Sequence, residues 1–352
     1  MKRQKKTGSM LVICLISIII LVLLGWNAWG EDNHKPHSAN PSGKPVVLAV
    51  EFNSHAACAH VARSKGWYEA AGIAIQAFDS YVTGMSLAAA LTRGDVDAAY
   101  ICLIPAICAY ANGHVPLKVV TGTHHYGYAV VVNPEKVSTP ADLEKPGIRI
   151  GCAREGSPTD AILHKTIQAY GLDAQKVMGN LRRMNPPKQL LALKMGQLDV
   201  AVMPEQYPSM ARKDGFSILV SARDLWPGMQ GSVLIVTDRF MTRYPDSVSR
   251  LVRVTRQSTE WINAHPEAAA TIVSGVLQVT GNRIFPARAA ALAGEQDVSP
   301  EAVLTSLTEE LVCTTQVEPH QVQQTIDFMA ELGYIPQRFD AAEILALIQE
   351  FP

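Results

Sequence analysis

One segment of this chain occurs twice, and the repeat limits the folds that the chain can adopt. Residues 90–99 read ALTRGDVDAA and residues 192–201 read ALKMGQLDVA, so both follow the pattern A-L-x-x-G-x-x-D-x-A. Each copy is typical of a helix end, a glycine that stops the helix and a short buried strand. The spacing is too long for a solenoid. The repeat therefore predicts two lobes built on one plan, with chance similarity between two such units as the alternative.

The segments around each copy alternate between strands and helices. Residues 45–50 form an apolar strand, followed by a loop over 51–56 and a helix to about residue 71. Residues 147–151 form a second strand, and a helix over 157–170 begins with Ser157 as its cap and proline at its first position. This order predicts an α/β fold with two mixed, mostly parallel sheets flanked by helices.

Two strands are expected to cross between the lobes and to form a hinge. Residues 128–132 leave the first lobe and residues 233–237 return to it. The first lobe then comprises residues 45–129 and 234–352, and the second comprises residues 130–233. Beyond the hinge we expect helices on the first lobe. They cover Pro245–His265 and three amphipathic stretches near Pro300–Cys313, Pro319–Leu332 and Asp340–Glu350.

The N-terminal segment has the pattern of an export signal. A basic start is followed by the apolar residues 10–26 and a small-residue cleavage site that ends at Gly30. Cleavage after Gly30 and retention as a membrane anchor both remain open, because the apolar run is near the lower limit for a membrane span. Residues 31–44 are polar and indicate a linker. The protein is therefore expected outside the cytoplasm, in the periplasm or anchored to the outer face of the cytoplasmic membrane.

Composition excludes some functions. The chain has 352 residues, of which 48% are hydrophobic, which suits about two domains. Its formal net charge is −1, and no concentrated basic face is present, so nucleic acid is not expected as a partner. No G-x-S-x-G, Walker or G-x-G-x-x-G motif is present, and we expect neither a catalytic residue nor a cofactor.

The cysteines do not indicate a disulfide framework. Five follow the N-terminal segment, an odd number without a C-x-x-C pair, although one bridge is possible. Cys58, Cys102 and Cys152 each fall near the end of a predicted strand and could meet with His55 at a soft metal. Metal-ligand spacings are absent, so we interpret these cysteines as packing residues and predict no metal site.

Two facing lobes would bring the loops at their strand ends into one cleft, where open α/β sheets bind ligands, and the hinge would let the lobes close. The loops expected there are Phe52–His55, Asp79–Gly84, Ile101–Ile104, Cys152–Ser157 and Met203–Tyr207, with Thr123–Tyr126 near the hinge.

Several of these segments carry a family resemblance. Residues 66–73 read GWYEAAGI, residues 94–100 read GDVDAAY with Pro105 after them, and residues 139–144 read TPADLE. From about residue 45 to about residue 270 the chain resembles the ABC-importer binding proteins of the nitrate, sulfonate/taurine, bicarbonate and thiamine-pyrimidine-precursor group. Residues 196–207 also resemble that group, but Met203-Pro204-Glu205 lacks the aromatic residue that is usual there.

The resemblance implies a two-lobed periplasmic-binding-protein type II fold and the capture of a small molecule for ABC permease subunits in the membrane. We expect a monomer. The residues expected to bind the ligand are Phe52, Asn53, His55, Tyr81, Thr83, Gly84, Cys102, His125, Arg154, Ser157, Thr159 and Glu205.

The chemistry of these residues suggests an anionic or heterocyclic ligand. Thr83-Gly84 and Gly156-Ser157 place free backbone N–H groups at helix starts, which bind anions, although ordinary capping explains them equally well. Glu205 would accept hydrogen bonds from an amine or an aminopyrimidine, or it is a solvated loop carboxylate. The alternatives from other classes are an enzyme of the same fold acting on a pyrimidine or menaquinone precursor, and a membrane-anchored ligand sensor.

Overall fold

The structure, a computed structural model, describes residues 45–284 and 298–348. The strands in this part of the chain form two β-sheets. Sheet 1 has the strand order β11-β4-β10-β3-β1-β2, and sheet 2 has the order β7-β6-β8-β5-β9. The strands of sheet 1 are β1 (Val46–Glu51), β2 (Ile75–Tyr81), β3 (Ala98–Cys102), β4 (Leu117–Tyr126), β10 (Gln230–Thr237) and β11 (Leu311–Cys313). Those of sheet 2 are β5 (Tyr128–Val132), β6 (Ile150–Cys152), β7 (Leu181–Arg183), β8 (Val200–Pro204) and β9 (Ser217–Ser221).

The helices connect these strands and follow them. Before β10 they are α1 (Ala57–Ser64), α2 (Trp67–Ala70), α3 (Gly84–Arg93), α4 (Leu103–Ala111), α5 (Pro158–Tyr170), α6 (Ala174–Gly179), α7 (Pro186–Lys194), α8 (Tyr207–Lys213) and α9 (Ala222–Leu225). After β10 they are α10 (Asp238–Arg243), α11 (Pro245–Ala264), α12 (Pro266–Ile284), α13 (Pro300–Thr305) and α14 (Pro319–Glu331). Short 3-10 turns cover Ser54–Ala56, Pro140–Glu144 and Ala341–Glu343. No helix in the described residues is long and apolar enough to cross a membrane.

The two copies of the repeated segment have the same structure. In each copy a helix ends, a glycine adopts positive φ (78° at Gly94 and 65° at Gly196), and a buried strand begins a few residues later. The aspartates also have the same role. Asp97 accepts a hydrogen bond from the backbone N–H of Val47 at 3.2 Å, and Asp199 accepts one from that of Arg149 at 3.0 Å. Each aspartate thus ties its own strand to the neighbouring parallel strand.

Both sheets are mixed, as the sequence predicted, and in each sheet four strands run in the same direction. β1 pairs in parallel with β2 and β3, and β6 pairs in parallel with β7 and β8, whereas the other pairings are antiparallel. The antiparallel direction of β5 and β10 results from the way the chain connects the two sheets. β5 and β10 each arrive from the other sheet, so each begins at the edge where its parallel neighbours end and must run in the opposite direction.

The chain changes sheet at Gly127, between β4 and β5, and again between β9 and β10. Gly127 has a φ of 86°, and a Cβ there would lie 2.3 Å from Leu311 and 2.8 Å from His55. These crossings differ by a few residues from the boundaries at 129/130 and 233/234 that the sequence suggested.

Sheet 1 is covered on both faces, which explains its strongly apolar strands. Ala99 and Ile101 of β3 face a core formed with α3 and α4, whereas Ala98 and Tyr100 face a core formed with α1 and α11. Alternate residues of one strand therefore serve two different cores. The N-terminal segment and the linker lie outside the described residues.

The C-terminal third departs from the helical expectation in two places. α13 ends at Thr305, a π-helical turn follows over Ser306–Glu310, and Leu311–Cys313 pairs with β4 as an edge strand. Between Asp340 and Ile348, where the described residues end, the structure has a 3-10 turn over Ala341–Glu343, and Leu345 forms a single bridge to Val119. In both places pairing with β4 replaces the helix that local periodicity favours.

Candidate functional site

A cavity of about 570 Å³ lies where the strand ends of the two sheets face each other. From the side of sheet 1 it is lined by Glu51, Asn53 and residues 80–86. From the side of sheet 2 it is lined by Tyr128, Ala153, Arg154, residues 157–159, residues 183–186 and Pro204. Nearly all of these follow the carboxyl end of a strand, as expected for ligand sites of open α/β sheets. We call this cavity the cleft.

The cleft includes many of the residues expected from the sequence. They are Asn53, Tyr81, Thr83, Gly84, Arg154, Ser157 and Thr159. Asn53 follows β1, Tyr81 ends β2, and Thr83 and Gly84 lie at the start of α3. Arg154, Ser157 and Thr159 lie between the end of β6 and the first turn of α5.

Other expected residues do not line the cleft, and three of them belong to the backbone and core of sheet 1. Phe52 is 4% exposed and points towards Gly281 of α12. Cys102 is fully buried at the end of β3, where its backbone N–H donates to Glu51. His125 pairs with Gln230 and Val312 inside sheet 1, because β4 continues through the segment that was expected to be a loop.

Glu205 and His55 are buried behind the cleft. Glu205 is 1% exposed and accepts a hydrogen bond from the Ser209 hydroxyl at 2.7 Å, because the chain turns inward at the start of α8. Burial raises the pKa of the Glu205 carboxyl to about 8. His55 donates from Nε2 to the Gly127 carbonyl at 2.8 Å, and burial lowers its pKa to about 4. At neutral pH the carboxyl is therefore largely protonated and the imidazole is neutral.

A buried polar cluster joins the two sheets behind the cleft. The ring of His55 lies 4.4 Å from that of His124 and 4.9 Å from that of Tyr128. The backbone N–H of Ser54 donates to Gln206 Oε1 at 2.9 Å, so a residue after β1 contacts one after β8. These contacts place His55 and Gln206 where the chain crosses between the sheets, whereas Tyr128 also lines the cleft.

Two helices begin at the cleft, and their capping groups are already used. The Thr83 hydroxyl accepts from the Ser86 N–H at 3.2 Å, and the Ser157 hydroxyl accepts from the Asp160 N–H at 3.3 Å. The N–H groups at the first two positions of α3, Gly84 and Met85, have no helical carbonyl to pair with. In α5 the first position is proline, which leaves the N–H of Thr159.

A third helix start, at α7, lines the cleft but offers less to an anion. Its cap is Asn185, whose side chain accepts from the Lys188 N–H at 3.1 Å. Its first two residues are prolines, which have no N–H. Anion binding by backbone groups would therefore depend on α3 and α5.

Arginines from sheet 2 supply positive charge at the cleft. Arg154 is exposed, and its loop reaches the cavity. Arg183 is held by an ion pair with Asp160, which is fully buried beneath the start of α5. Arg154 is therefore the more available of these two cations for a ligand.

Sequence reasoning missed Glu51, Tyr128, Arg183 and Asn185, all of which line the cleft. Glu51 had a visible signal, because it is a carboxylate directly at the end of an apolar strand. Tyr128 was assigned to the crossing strand, and nothing in its neighbours indicates that its ring reaches the cavity. Arg183 and Asn185 follow β7, a strand too short to recognise from its pattern.

The described residues show no metal site, since they contain no suitable group of three or more His, Cys, Asp or Glu side chains. The cysteines at 58, 102, 108, 152 and 313 are free, and all but Cys313 are buried. Burial raises the pKa of the Cys108 thiol to about 11, so this thiol is protonated at neutral pH.

Comparison with known proteins agrees with this geometry. Residues 39–277, well over half of the chain, match the sequence profile of the NMT1-like family. No curated protein sequence matches the chain.

Solved structures share the fold. One is the alkanesulfonate-binding protein SsuA of Xanthomonas axonopodis bound to MOPS, with 19% identity and a TM-score of 0.70 over 87% of this chain and all of that one. SsuA of Escherichia coli has 18% identity and a TM-score of 0.65 over 86% of this chain and 97% of that one. The nitrate-binding protein NrtA of Synechocystis has 14% identity and a TM-score of 0.67 over 87% of this chain and 86% of that one. These likenesses confirm the predicted two-lobed fold class.

Proposed function

The chain belongs to the NMT1-like family, and we propose that it is the extracytoplasmic substrate-binding protein of an ABC importer. In this proposal it captures a small solute in the cleft and presents it to permease subunits in the membrane. The observation that carries the proposal is the cleft itself. Its volume of about 570 Å³ is in the range of small-molecule sites, and both sheets supply polar groups to it.

The similar structures support transport rather than catalysis. They are an alkanesulfonate-binding protein, a periplasmic aliphatic sulphonate-binding protein and a periplasmic nitrate-binding protein. A shared fold at this identity does not carry over their ligands. It supports a solute-binding role, and the N-terminal export pattern described above adds an extracytoplasmic location to the proposal.

The mechanism that we propose is closure of two lobes around the solute. The solute would contact Thr83, Gly84 and Asn53 on one side and Arg154, Ser157 and Thr159 on the other. The crossings at Gly127 and between β9 and β10 would act as the hinge. The closed monomer would then dock on the permease.

A screen for ligand-induced stabilisation tests this function. The purified mature domain would be heated with sulfonates, nitrate, bicarbonate, pyrimidines and amino acids, because a ligand of the folded state raises the melting temperature. A solute at 100 times its Kd should add about 2.7 kcal/mol of stability. Small-angle scattering with the hit should show a more compact particle.

Variants and a turnover assay complete the test. Ser157→Ala should weaken binding of the hit, whereas Ser249→Ala, a substitution at a half-buried position on α11 outside the cleft, should not. The solute should be recovered chemically unchanged. Conversion of the solute to product by the purified protein would favour the enzyme alternative, and the absence of any stabilising solute would contradict the proposed function.

A further inference from the structure

The floor of the cleft carries two polar side chains that come from opposite sheets. Glu51 is the last residue of β1 in sheet 1, and Tyr128 is the first residue of β5 in sheet 2. Both line the cavity, although Glu51 is only 4% and Tyr128 only 3% exposed. A ligand that reaches the floor would therefore meet both groups in a place with little competing water.

The Glu51 carboxyl is held as a hydrogen-bond acceptor. Its Oε1 accepts from the backbone N–H of Cys102 at 2.8 Å, and its Oε2 accepts from the side-chain amide of Asn53 at 3.2 Å. It also abuts the start of α3, since a Cβ on Gly84 would lie 2.4 Å from Oε1. Burial raises the pKa of the Glu51 carboxyl, and the hydrogen bonds from Cys102 and Asn53 oppose that shift. Its oxygens keep lone pairs for a further donor.

The Tyr128 hydroxyl lies beside the Cys102 thiol, a weak hydrogen-bond partner. It has no nitrogen or oxygen partner among the described residues. Burial, and then the proximity of Cys102 and Glu51, raises the pKa of this phenol well above its usual range, so it remains protonated. A buried hydroxyl without a strong partner is costly, and a ligand group at the floor would supply one.

The two ends of the cleft therefore differ in chemistry. Arg154 and the N–H group of Thr159 offer donors on the side of sheet 2, whereas the floor offers an acceptor at Glu51. Met85 and Met184 line the space with apolar side chains. An inorganic anion without a proton, such as nitrate, has only acceptors and cannot donate a hydrogen bond to Glu51.

We propose that Glu51 selects a ligand that carries an amino or ammonium group, with Tyr128 contacting the same end of the ligand. The other end of this ligand is an anion or another acceptor that faces Arg154, and a short apolar or ring portion lies between them. The ligand class is thus a small amphoteric nitrogen compound. This inference rests on the proposed function, because it assigns the substrate class of the same cleft.

Matched ligand pairs that differ by one amino group test the proposal. The probes are 2-aminoethanesulfonate with ethanesulfonate, 3-aminopropanoate with propanoate, and 4-aminopyrimidine with pyrimidine, each measured by calorimetry. In at least one pair the amino compound should bind about tenfold or more tightly, the range expected for a charge-assisted hydrogen bond. Glu51→Gln, whose amide adds a donor, should reduce this preference to about threefold or less.

Two further variants distinguish a specific role of Glu51 from a general loss of folding or binding. Glu135→Gln changes an exposed carboxylate beyond the far end of β5 and should leave the preference unchanged. Tyr128→Phe removes only the hydroxyl and should weaken the amino compound more than its partner. This variant keeps the test valid if Glu51→Gln does not fold.

Three outcomes would overturn the inference. The first is that no pair shows a preference for its amino member, whether or not the compounds bind. The second is that the preference persists in Glu51→Gln. The third is that Tyr128→Phe weakens both members equally. Tight binding of the compounds without an amino group, with compaction in scattering, would reject the role of Glu51 while leaving the proposed binding function intact.

Discussion

The Tyr334 hydroxyl donates a hydrogen bond to the carboxylate of Asp160, a residue 174 positions earlier in the chain. Asp160 lies in the first turn of α5 and also accepts from the Gly156 N–H at 3.2 Å. The Tyr334 ring packs against Gly156, at 3.7 Å from the position a Cβ would take. A residue that follows α14 thus supports the loop that brings Arg154 and Ser157 to the cleft.

The segment around α14 contacts elements of both sheets. Phe328 on α14 packs edge-on against Trp226 after α9, with ring centroids 5.4 Å apart, and Asn112 after α4 donates to the Tyr334 carbonyl at 2.8 Å. The sequence suggested that the C-terminal helices pack on the first lobe. In the structure α14 also braces the loop and helix of the other sheet, so closure of the cleft would have to accommodate this contact.

Replacing Tyr334 with phenylalanine should loosen the start of α5. Loss of a hydrogen bond to a buried carboxylate should cost about 1.5–3 kcal/mol, and amide exchange should speed up at residues 156–161. Urea denaturation and hydrogen exchange measure these effects. Tyr170→Phe is the control, because Tyr170 is on the same helix and 50% exposed. Equal behaviour of the two variants would contradict the bracing role.

Glu205 should make the protein less stable as the pH rises. Its folded-state pKa is raised to about 8, whereas the unfolded value is about 4.3, so the folded state retains a proton that the unfolded state releases between these values. The free energy of unfolding should therefore fall from about pH 4.5 to pH 8, by an amount on the order of a few kcal/mol.

Comparison of the wild type with Glu205→Gln isolates this effect. Glutamine cannot ionise and should keep the hydrogen bond from Ser209, so the variant should gain stability over the wild type as the pH is raised from 5 to 8. Urea midpoints at the two pH values provide the measurement. Any contribution from Glu51 is present in both proteins and cancels. A constant difference between the two proteins would show that Glu205 does not titrate as stated.

Gly84→Ala should disrupt the floor of the cleft. The added Cβ would lie 2.4 Å from Glu51 Oε1 and 2.6 Å from Pro105 Cγ, and such overpacking costs about 1–3 kcal/mol. Gly275→Ala is the control, because a Cβ there meets nothing within 4 Å and Gly275 is inside α12. Alanine should stabilise that helix by up to about 1 kcal/mol. Thermal unfolding of both variants should show opposite shifts.

Asp199 should contribute stability that is lost in acid. Hydrogen bonds from the Arg149 side chain hold the pKa of this carboxyl well below its usual range. Its contribution is therefore present above the unfolded pKa of about 3.9 and is lost as the pH falls towards the lower folded value. Asp199→Asn should be less stable than the wild type by about 1–3 kcal/mol at pH 7, and the gap should narrow at pH 3. A gap that does not change with pH would contradict this assignment.

Local sequence patterns correctly predicted the elements that do not depend on distant partners. The helix over α5 was predicted from its cap at Ser157 and its apolar stripe, and the helix of α11 ends one residue before the predicted His265. The repeated A-L-x-x-G-x-x-D-x-A segment was correctly interpreted as helix, glycine and strand in both copies. By contrast, β11 and the segment around Leu345 were expected to be helical and pair with β4 instead.

The cleft residues also divide into those that local sequence identifies and those whose orientation depends on tertiary contacts. Thr83, Gly84, Arg154 and Ser157 could be named from the sequence because a helix start after a strand end has a recognisable local pattern. Glu205 and Cys102 have similar positions in the sequence, yet the chain turns both of them inward. Which side chain at a strand end faces the cavity depends on the twist of the sheet and on the neighbours it meets there, and neither is encoded within a few residues.

The sequence by itself determined the two-lobed α/β fold and the strand ends at which a ligand would be met, because periodicity, capping residues and glycine stops act over a few residues. Only the tertiary structure decided that Glu51 and Tyr128 both line the floor of the cleft, and that Tyr334 braces Asp160. The first pair is separated by 77 positions and the second by 174. Contacts of this kind depend on how whole sheets pack, where each side chain's burial and charge are set by residues remote in the chain.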